Sequence, residues 1–133
     1  MSNSKRRLIS TGSPFEKQAG YSRAVAVETP DDNWCFVSGT TGYDYSTMVM
    51  PEKVSDQARN CFETIKSALG EAGFSLSDIV RANYIVTDAQ YVDDVFAITG
   101  EYFGEIRPAA TMILAGLIKP EMKIEIEVTA YRG

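Results

Sequence analysis

The apolar residues of this chain switch between two periods, and the switches mark out its elements. Near the N-terminus two short runs, residues 21–27 and 34–39, are rich in β-formers and flank the turn-like Thr29-Pro30-Asp31-Asp32-Asn33, a pattern that predicts a β-hairpin. Ahead of it, residues 6–11 read as a short edge strand before Gly12-Ser13-Pro14. From Ser55 the period becomes helical, with Ala58, Cys61, Phe62, Ile65, Ala68, Leu69 and Ala72 on one face. Ser55 suits the N-cap and Gly73 the C′ position, where a left-handed backbone carries little steric penalty for glycine.

Residues 79–87 return to a strand-like run, and Asp88 is placed as the cap of a second helix carrying Val92, Val95, Phe96, Thr99, Tyr102 and Phe103. Two more strands are predicted, 109–117 and 123–131, around a turn at Lys119-Pro120-Glu121. In the last of them Ile124, Ile126, Val128 and Ala130 alternate with Glu125, Glu127, Thr129 and Tyr131. The order βββαβαββ predicts an α+β fold with two helices on one face of a mixed sheet. The opposite face is left without cover by this chain, and an identical subunit is the economical candidate to cover it. No repeat, linker or low-complexity tract divides residues 1–133, so one domain is expected.

Composition narrows the chemistry. With 133 residues, 44% apolar and 23% charged, the chain resembles an ordinary globular domain that buries roughly two thirds of its unfolded surface. The net charge of −5 repels a polyanion, so nucleic acid is not an expected partner, and Lys5-Arg6-Arg7 reads as a solvated terminal cluster. Cys35 and Cys61 fall in apolar patterns and read as small core residues. No secretory or membrane-length apolar stretch is present, which points to the cytoplasm and away from a membrane partner. Histidine is absent, which removes Ser-His and Cys-His nucleophilic arrangements and most zinc sites. No phosphate-cradling motif appears, and the carboxylates of Glu125 and Glu127 read first as a solvated or intersubunit face, so neither cofactor nor metal is expected.

Three segments carry a resemblance: Gly20-Tyr21-Ser22-Arg23-Ala24-Val25, then Val37-Ser38-Gly39-Thr40, and Arg107-Pro108-Ala109-Ala110-Thr111 running into Lys123-Ile124-Glu125-Ile126-Glu127-Val128. Together with Gln57-Ala58-Arg59 and Leu69-Gly70-Glu71-Ala72-Gly73 they are similar to the RidA/YjgF (L-PSP) family across nearly the whole chain. The resemblance implies a chorismate-mutase-like fold, a homotrimer, small-molecule clefts between subunits, and hydrolysis of reactive imines and enamines to 2-oxo acids and ammonia. It carries over Tyr21 as a cleft tyrosine, Ser38 and Gly39 as the loop offering backbone donors, and Glu125 as the carboxylate that positions water.

Departures from the family pattern fall on the substrate side. The clamping arginine expected after Pro-Ala is Ala110, a helix asparagine is Phe96, and a cysteine is Met112, which together predict a more apolar cleft. Arg107 stands three residues before Ala110 and, by strand alternation, is expected on the opposite face. Arg23 shares a strand face with Tyr21 and offers a replacement clamp, against the alternative of a structural arginine paired with Glu125 or Glu127. Three functions follow: an imine hydrolase with Glu125 as its catalytic residue and Tyr21, Ser38, Gly39, Arg23, Met112 and Phe96 around the substrate; a binding or regulatory trimer without turnover; and a ribonuclease, which the charge and the missing histidines disfavour.

Overall fold

A computed structural model describes residues 5–133. Six strands form one sheet: β1 (Lys5–Ile9), β2 (Ala24–Glu28), β3 (Asn33–Thr41), β4 (Ile79–Val86), β5 (Ala109–Leu114) and β6 (Ile124–Arg132). Their spatial order is β1-β2-β3-β6-β4-β5. The β4–β5 pair is parallel and the other described pairs are antiparallel. A parallel pair needs a crossover, and helix α3 (Val92–Phe103) supplies it, while α2 (Val54–Glu71) joins β3 to β4. The mixed sheet with helices on one side is the α+β architecture read from the sequence.

The core lies between the helices and one sheet face. Helix α2 packs on β3 and β6 and brings Phe62, Ile65 and Leu69, all fully buried, into one cluster with Ile126, Val128 and Ala130. Phe62 stacks on Tyr102 of α3 at 4.4 Å between centroids and meets Phe103 edge-on at 5.1 Å, which fastens the two helices. Gln57, also fully buried, donates from Nε2 to the Pro51 and Glu121 carbonyls and accepts from the Lys123 amide. Its amide thus ties the start of α2 to the segment before β6. Gly42 makes this approach possible, since a Cβ there would lie 2.5 Å from the Gln57 Cβ and 2.6 Å from its Cα.

The other sheet face carries Val25, Val27, Trp34, Phe36, Ile85 and Ile113, interspersed with Asn83, Glu127, Thr129 and Tyr131. Trp34 packs against Tyr131 at 4.7 Å, yet it remains 37% exposed and Phe36 48% exposed. No described element covers them, and such aromatic surface is costly to leave in water.

Several boundaries differ from the sequence expectations. A helix α1 (Pro14–Ala19) stands where the sequence reading placed no element: the Ser13 side chain accepts from the Phe15 amide, Pro14 occupies the first turn and Gly20 closes the helix at φ 80°. Helix α2 begins at Val54, with Lys53 at the cap position and no side-chain cap bond, so Ser55 is not its N-cap; Gly73 does take the left-handed conformation at φ 84°. Asp88 caps a short 3₁₀ turn, Ala89–Tyr91, that leads into α3. Strand β5 stops at Leu114 because its pairing partner β4 ends at Val86.

Candidate functional site

The expected site residues fall into two groups within the chain. The first gathers where β2, β3 and β6 meet. The register of β3 against β6 shifts between Val37 and Thr40, so Ser38 and Gly39 leave the regular ladder at a bulge. The Ser38 amide donates to the Arg23 carbonyl at 2.8 Å and its hydroxyl to the Ser22 carbonyl at 2.6 Å, which pins the bulge to the start of β2.

Glu125 of β6 fills the space that Gly39 leaves: a Cβ on residue 39 would fall 2.3 Å from Glu125 Oε1. The carboxylate has no hydrogen-bond donor among the described residues. Burial, seconded by the charge of Glu127, pushes its pKa above the ordinary carboxylate range, while Arg23 opposes the shift. A carboxylate so placed can exchange a proton with a small molecule beside it more readily than a solvated one.

Arg23 lies behind this group rather than in the open. It is fully buried, and Nη1 donates to the Gly39 carbonyl at 2.8 Å and to Thr40 Oγ1 at 3.0 Å. Nη2 donates to the Tyr21 hydroxyl at 3.1 Å, and the guanidinium lies over the Tyr45 ring at 4.6 Å. No salt bridge joins Arg23 to Glu125 or Glu127 among the described residues. Its geometry is that of a prop which orients Tyr21 and the Gly39 carbonyl. Tyr45, whose hydroxyl contacts the Thr41 amide and hydroxyl at 3.1 Å, completes the support and carried no sequence signal of its own.

The second group lies at the β5 edge of the sheet. Phe96 from α3 and Met112 from β5 line a cavity of about 600 Å³ together with Tyr84, Phe103, Arg107 and Ala110. Arg107 is a correction to the alternation argument: β5 begins only at Ala109, Arg107 has φ 54°, and its residue lines the same cavity as Ala110 instead of the opposite face. Glu125 of β6 pairs with Ile85 and Met112 of β5 with Tyr84, the preceding residue of β4, so one strand separates the two groups and they lie on opposite faces of the sheet. A polar groove of about 480 Å³ along α2, near Asp44, Asn60 and Glu63, contains none of the expected residues.

Both cysteines are buried and free, and burial raises the Cys35 thiol to about 11 and that of Cys61 further still, so neither is a ready nucleophile. Among the described residues no group of three or more His, Cys, Asp or Glu side chains is arranged to hold a metal ion.

Sheet order and a one-sided helix layer define a class: small α+β proteins built on one mixed six-stranded sheet. The chain belongs to the endoribonuclease L-PSP family, the RidA/YjgF group, whose profile matches residues 11–132. It is 30% identical over 113 residues to a RutC family protein of Pyrococcus horikoshii, spanning 84% of this chain and 86% of that one. Its fold is similar to that of a YjgF/YER057c/UK114 family member from Mycobacterium tuberculosis, with TM-score 0.83, 36% identity, and 96% and 100% of the two chains covered. It is also similar to TdcF of E. coli, solved with bound serine, with TM-score 0.76, 25% identity and coverage of 96% and 94%.

Proposed function

We propose that the protein is a cytoplasmic homotrimer of chorismate-mutase-like topology that hydrolyses reactive imines or enamines in clefts between its subunits. The observation that carries the reading is the Glu125 carboxylate, partly buried, without a hydrogen-bond donor among the described residues, and lying directly against Gly39. In the reaction, water adds to the electrophilic C=N carbon while Glu125 takes its proton and passes it to nitrogen, and the carbinolamine then gives its hydroxyl proton through Glu125 to the amine as the C–N bond breaks, leaving a carbonyl and ammonia. Tyr21 and the Gly39 backbone orient the substrate, with Arg23 holding both in place from behind, while the Ser38 amide and hydroxyl, already bonded to the Arg23 and Ser22 carbonyls, fix the bulge. The exposed Trp34–Phe36 face supports assembly with other copies. Such assembly brings the Glu125 group of one subunit towards the Phe96–Met112 group of the next, which one chain alone cannot do. The bound serine of TdcF supports a small polar molecule as ligand for this fold. No metal or histidine is needed for this chemistry, and a net charge of −5 weighs against the ribonuclease of the family's name.

The test is ammonia release from enzymatically generated 2-imino acids at equal trimer concentration, comparing the unmodified protein with Glu125→Ala. Turnover above the spontaneous rate, lost in the variant, is the expected result. A second reading, a binding trimer without turnover, is favoured by one observation: Ala110 stands where the imine-hydrolysing pattern has an arginine. Saturable ligand binding with ammonia release at the spontaneous rate would replace the first reading with the second.

A further inference from the structure

We propose that Arg23 is a positioning residue that acts through Tyr21: by donating to the phenol oxygen it turns the Tyr21 O–H towards the substrate, so that Tyr21 meets the reacting molecule as a hydrogen-bond donor where Glu125 meets it as an acceptor. The inference rests on the hydrolase reading above and assigns a residue role within it.

The sense of the bond is fixed by chemistry. Arginine carries only donors, so in the 3.1 Å contact between Nη2 and the Tyr21 hydroxyl the phenol oxygen must accept. The contact of Tyr45 with the Thr41 hydroxyl has no such constraint, since either oxygen can donate there. A phenol hydrogen lies near the ring plane in one of two positions, and a donor seated at one leaves it the other. Tyr21 is 36% exposed while Arg23 is fully buried, so the hydrogen is directed away from the buried side of the pair. Burial pushes the phenol above its ordinary range, with Arg23 opposing the shift, and the proton is retained at neutral pH.

The guanidinium is itself held against turning away. Nη1 donates to the Gly39 carbonyl at 2.8 Å and to Thr40 Oγ1 at 3.0 Å, and Cζ lies 4.6 Å from the centre of the Tyr45 ring. Stability alone does not account for an arginine here. It makes no salt bridge among the described residues, and its Nε is the one buried side-chain polar atom among them without a partner. A site shaped for stability alone would leave no such N–H, whose burial without an acceptor is costly.

Both ends of the fork bear on the reaction. Nη1 fixes the Gly39 carbonyl and Gly39 lies against Glu125, so the donor and the acceptor are tied to one guanidinium. Glu125 takes its protons from the oxygen that enters as water and leaves as the carbonyl. As the carbinolamine gives its hydroxyl proton to Glu125 and the C–N bond breaks, negative charge builds on that same oxygen. A Tyr21 O–H aimed at it stabilises this charge more than it stabilises the starting water. The other titratable groups around the pair are Glu16 of α1, Cys61 of α2, Tyr45 after β3 and Glu127 of β6, and all four stay in place in the comparisons below.

The test uses the full chain labelled with 3,5-difluorotyrosine, whose phenol titrates nearer neutral pH, and follows the fluorine NMR signal that Tyr21→Phe removes. In Arg23→Met the Tyr21 pKa should rise, because the phenolate loses a donor and a nearby positive charge. Arg23→Gln serves the same comparison if Arg23→Met does not fold. Thr40→Val, which breaks a different bond of Arg23, should melt lower with the Tyr21 titration unchanged. Ammonia release from enzymatically generated 2-iminopropanoate is measured on the unlabelled proteins. Tyr21→Phe and the Arg23 variant should each lose about 10- to 100-fold in kcat with KM held within about 2-fold. The double variant should lose no more than the larger single loss, since both changes remove one donor, whereas a merely structural Arg23 would make the losses multiply. Multiplied losses, full kcat in Tyr21→Phe, or a Tyr21 titration unmoved in the Arg23 variant overturns the proposal. A titration that rises as expected, in a protein with no turnover above the spontaneous rate, removes the hydrolase reading and leaves the donor sense of Tyr21 standing. Turnover with multiplied losses removes this inference alone.

Discussion

Two glycines three residues apart, Gly39 and Gly42, offer a discriminating pair of alanine substitutions, because their missing side chains face different neighbours. At Gly42 the new methyl would lie 2.5 Å from the Gln57 Cβ and 2.6 Å from its Cα, so the backbone of α2 itself has to move. Gln57 cannot yield without loosening its bonds to Pro51, Glu121 and Lys123. Overpacking of this kind costs about 1–3 kcal/mol, which for a 133-residue chain lowers the melting temperature by about 4–11 °C. At Gly39 the methyl would instead meet the tip of a side chain, Glu125 Oε1 at 2.3 Å, which regains ordinary contact by retreating about 1 Å. A partly exposed carboxylate can make that movement at a stability cost below about 1 kcal/mol. A displacement of that size can cost a positioned catalytic group about 100-fold in rate. The measurements are thermal melting at matched protein concentration, ammonia release, and the Glu125 titration followed by carboxyl-carbon NMR. Gly42→Ala should melt lower with the Glu125 titration unchanged. Gly39→Ala should melt close to the unmodified protein, with the Glu125 pKa moved towards the ordinary range as the carboxylate swings into solvent. Equal losses of melting temperature in the two variants, with no change in the Glu125 titration, would refute the steric assignment.

Glu125→Gln should abolish turnover yet stabilise the fold relative to the unmodified protein above the ordinary carboxylate range. Because the folded-state pKa of Glu125 is raised, the native protein holds a proton that the unfolded chain has lost, so stability falls as pH rises from the unfolded towards the folded pKa, and the variant lacks that fall. Melting temperatures across a pH series check it. Arg23→Met removes the donors to Gly39, Thr40 and Tyr21 and should lower stability by about 3 kcal/mol in chemical denaturation, whereas a ligand clamp would leave stability nearly intact. Phe36→Asp places a charge on the exposed aromatic face and should convert the assembly to a 14.6 kDa monomer by native mass spectrometry. Phe62→Ala empties the fully buried contact between α2 and α3 and should cost about 3–5 kcal/mol, read by denaturant midpoint.

The elements that sequence periodicity located well were those with one face committed to the core. Helix α2 shows its apolar stripe, six positions from Ala58 to Leu69 with Ala72 at the cap, because they are packed on a sheet, and β6 alternates because one side faces the helices. Helix α1 was missed because six residues make less than two turns and show no period, although Ser13-Pro14 and Gly20 carried its capping signals. Tyr21, Ser38, Gly39 and Glu125 came from resemblance, but the contact of Glu125 with Gly39 depends on a bulge and on β3 pairing with β6, neither of which local pattern encodes. Arg107 was misdirected because alternation was counted through a residue outside the strand and with positive φ. The division of the candidate site into two groups required strand order and register, which place β4 between Glu125 of β6 and Met112 of β5 and put the two on opposite faces.

The candidate site also holds departures from good folding practice. Sequences specify one structure when local preference, packing and polar satisfaction agree, and exceptions concentrate at functional sites. Here the interior amide of Gln57 is well bonded, Glu16 is saturated by Ser10 and Thr11, and α2 and α3 interlock through aromatic rings. The exceptions are a carboxylate with a raised pKa against Gly39, the Arg23 Nε as the one buried side-chain polar atom without a partner among the described residues, and left-handed backbone at Met48 and Arg107. Two of the three kinds, Glu125 and Arg23, meet at Gly39, where β3 leaves its regular ladder. Under the proposed function, a small molecule beside Glu125 supplies the donor that its carboxylate lacks within the chain.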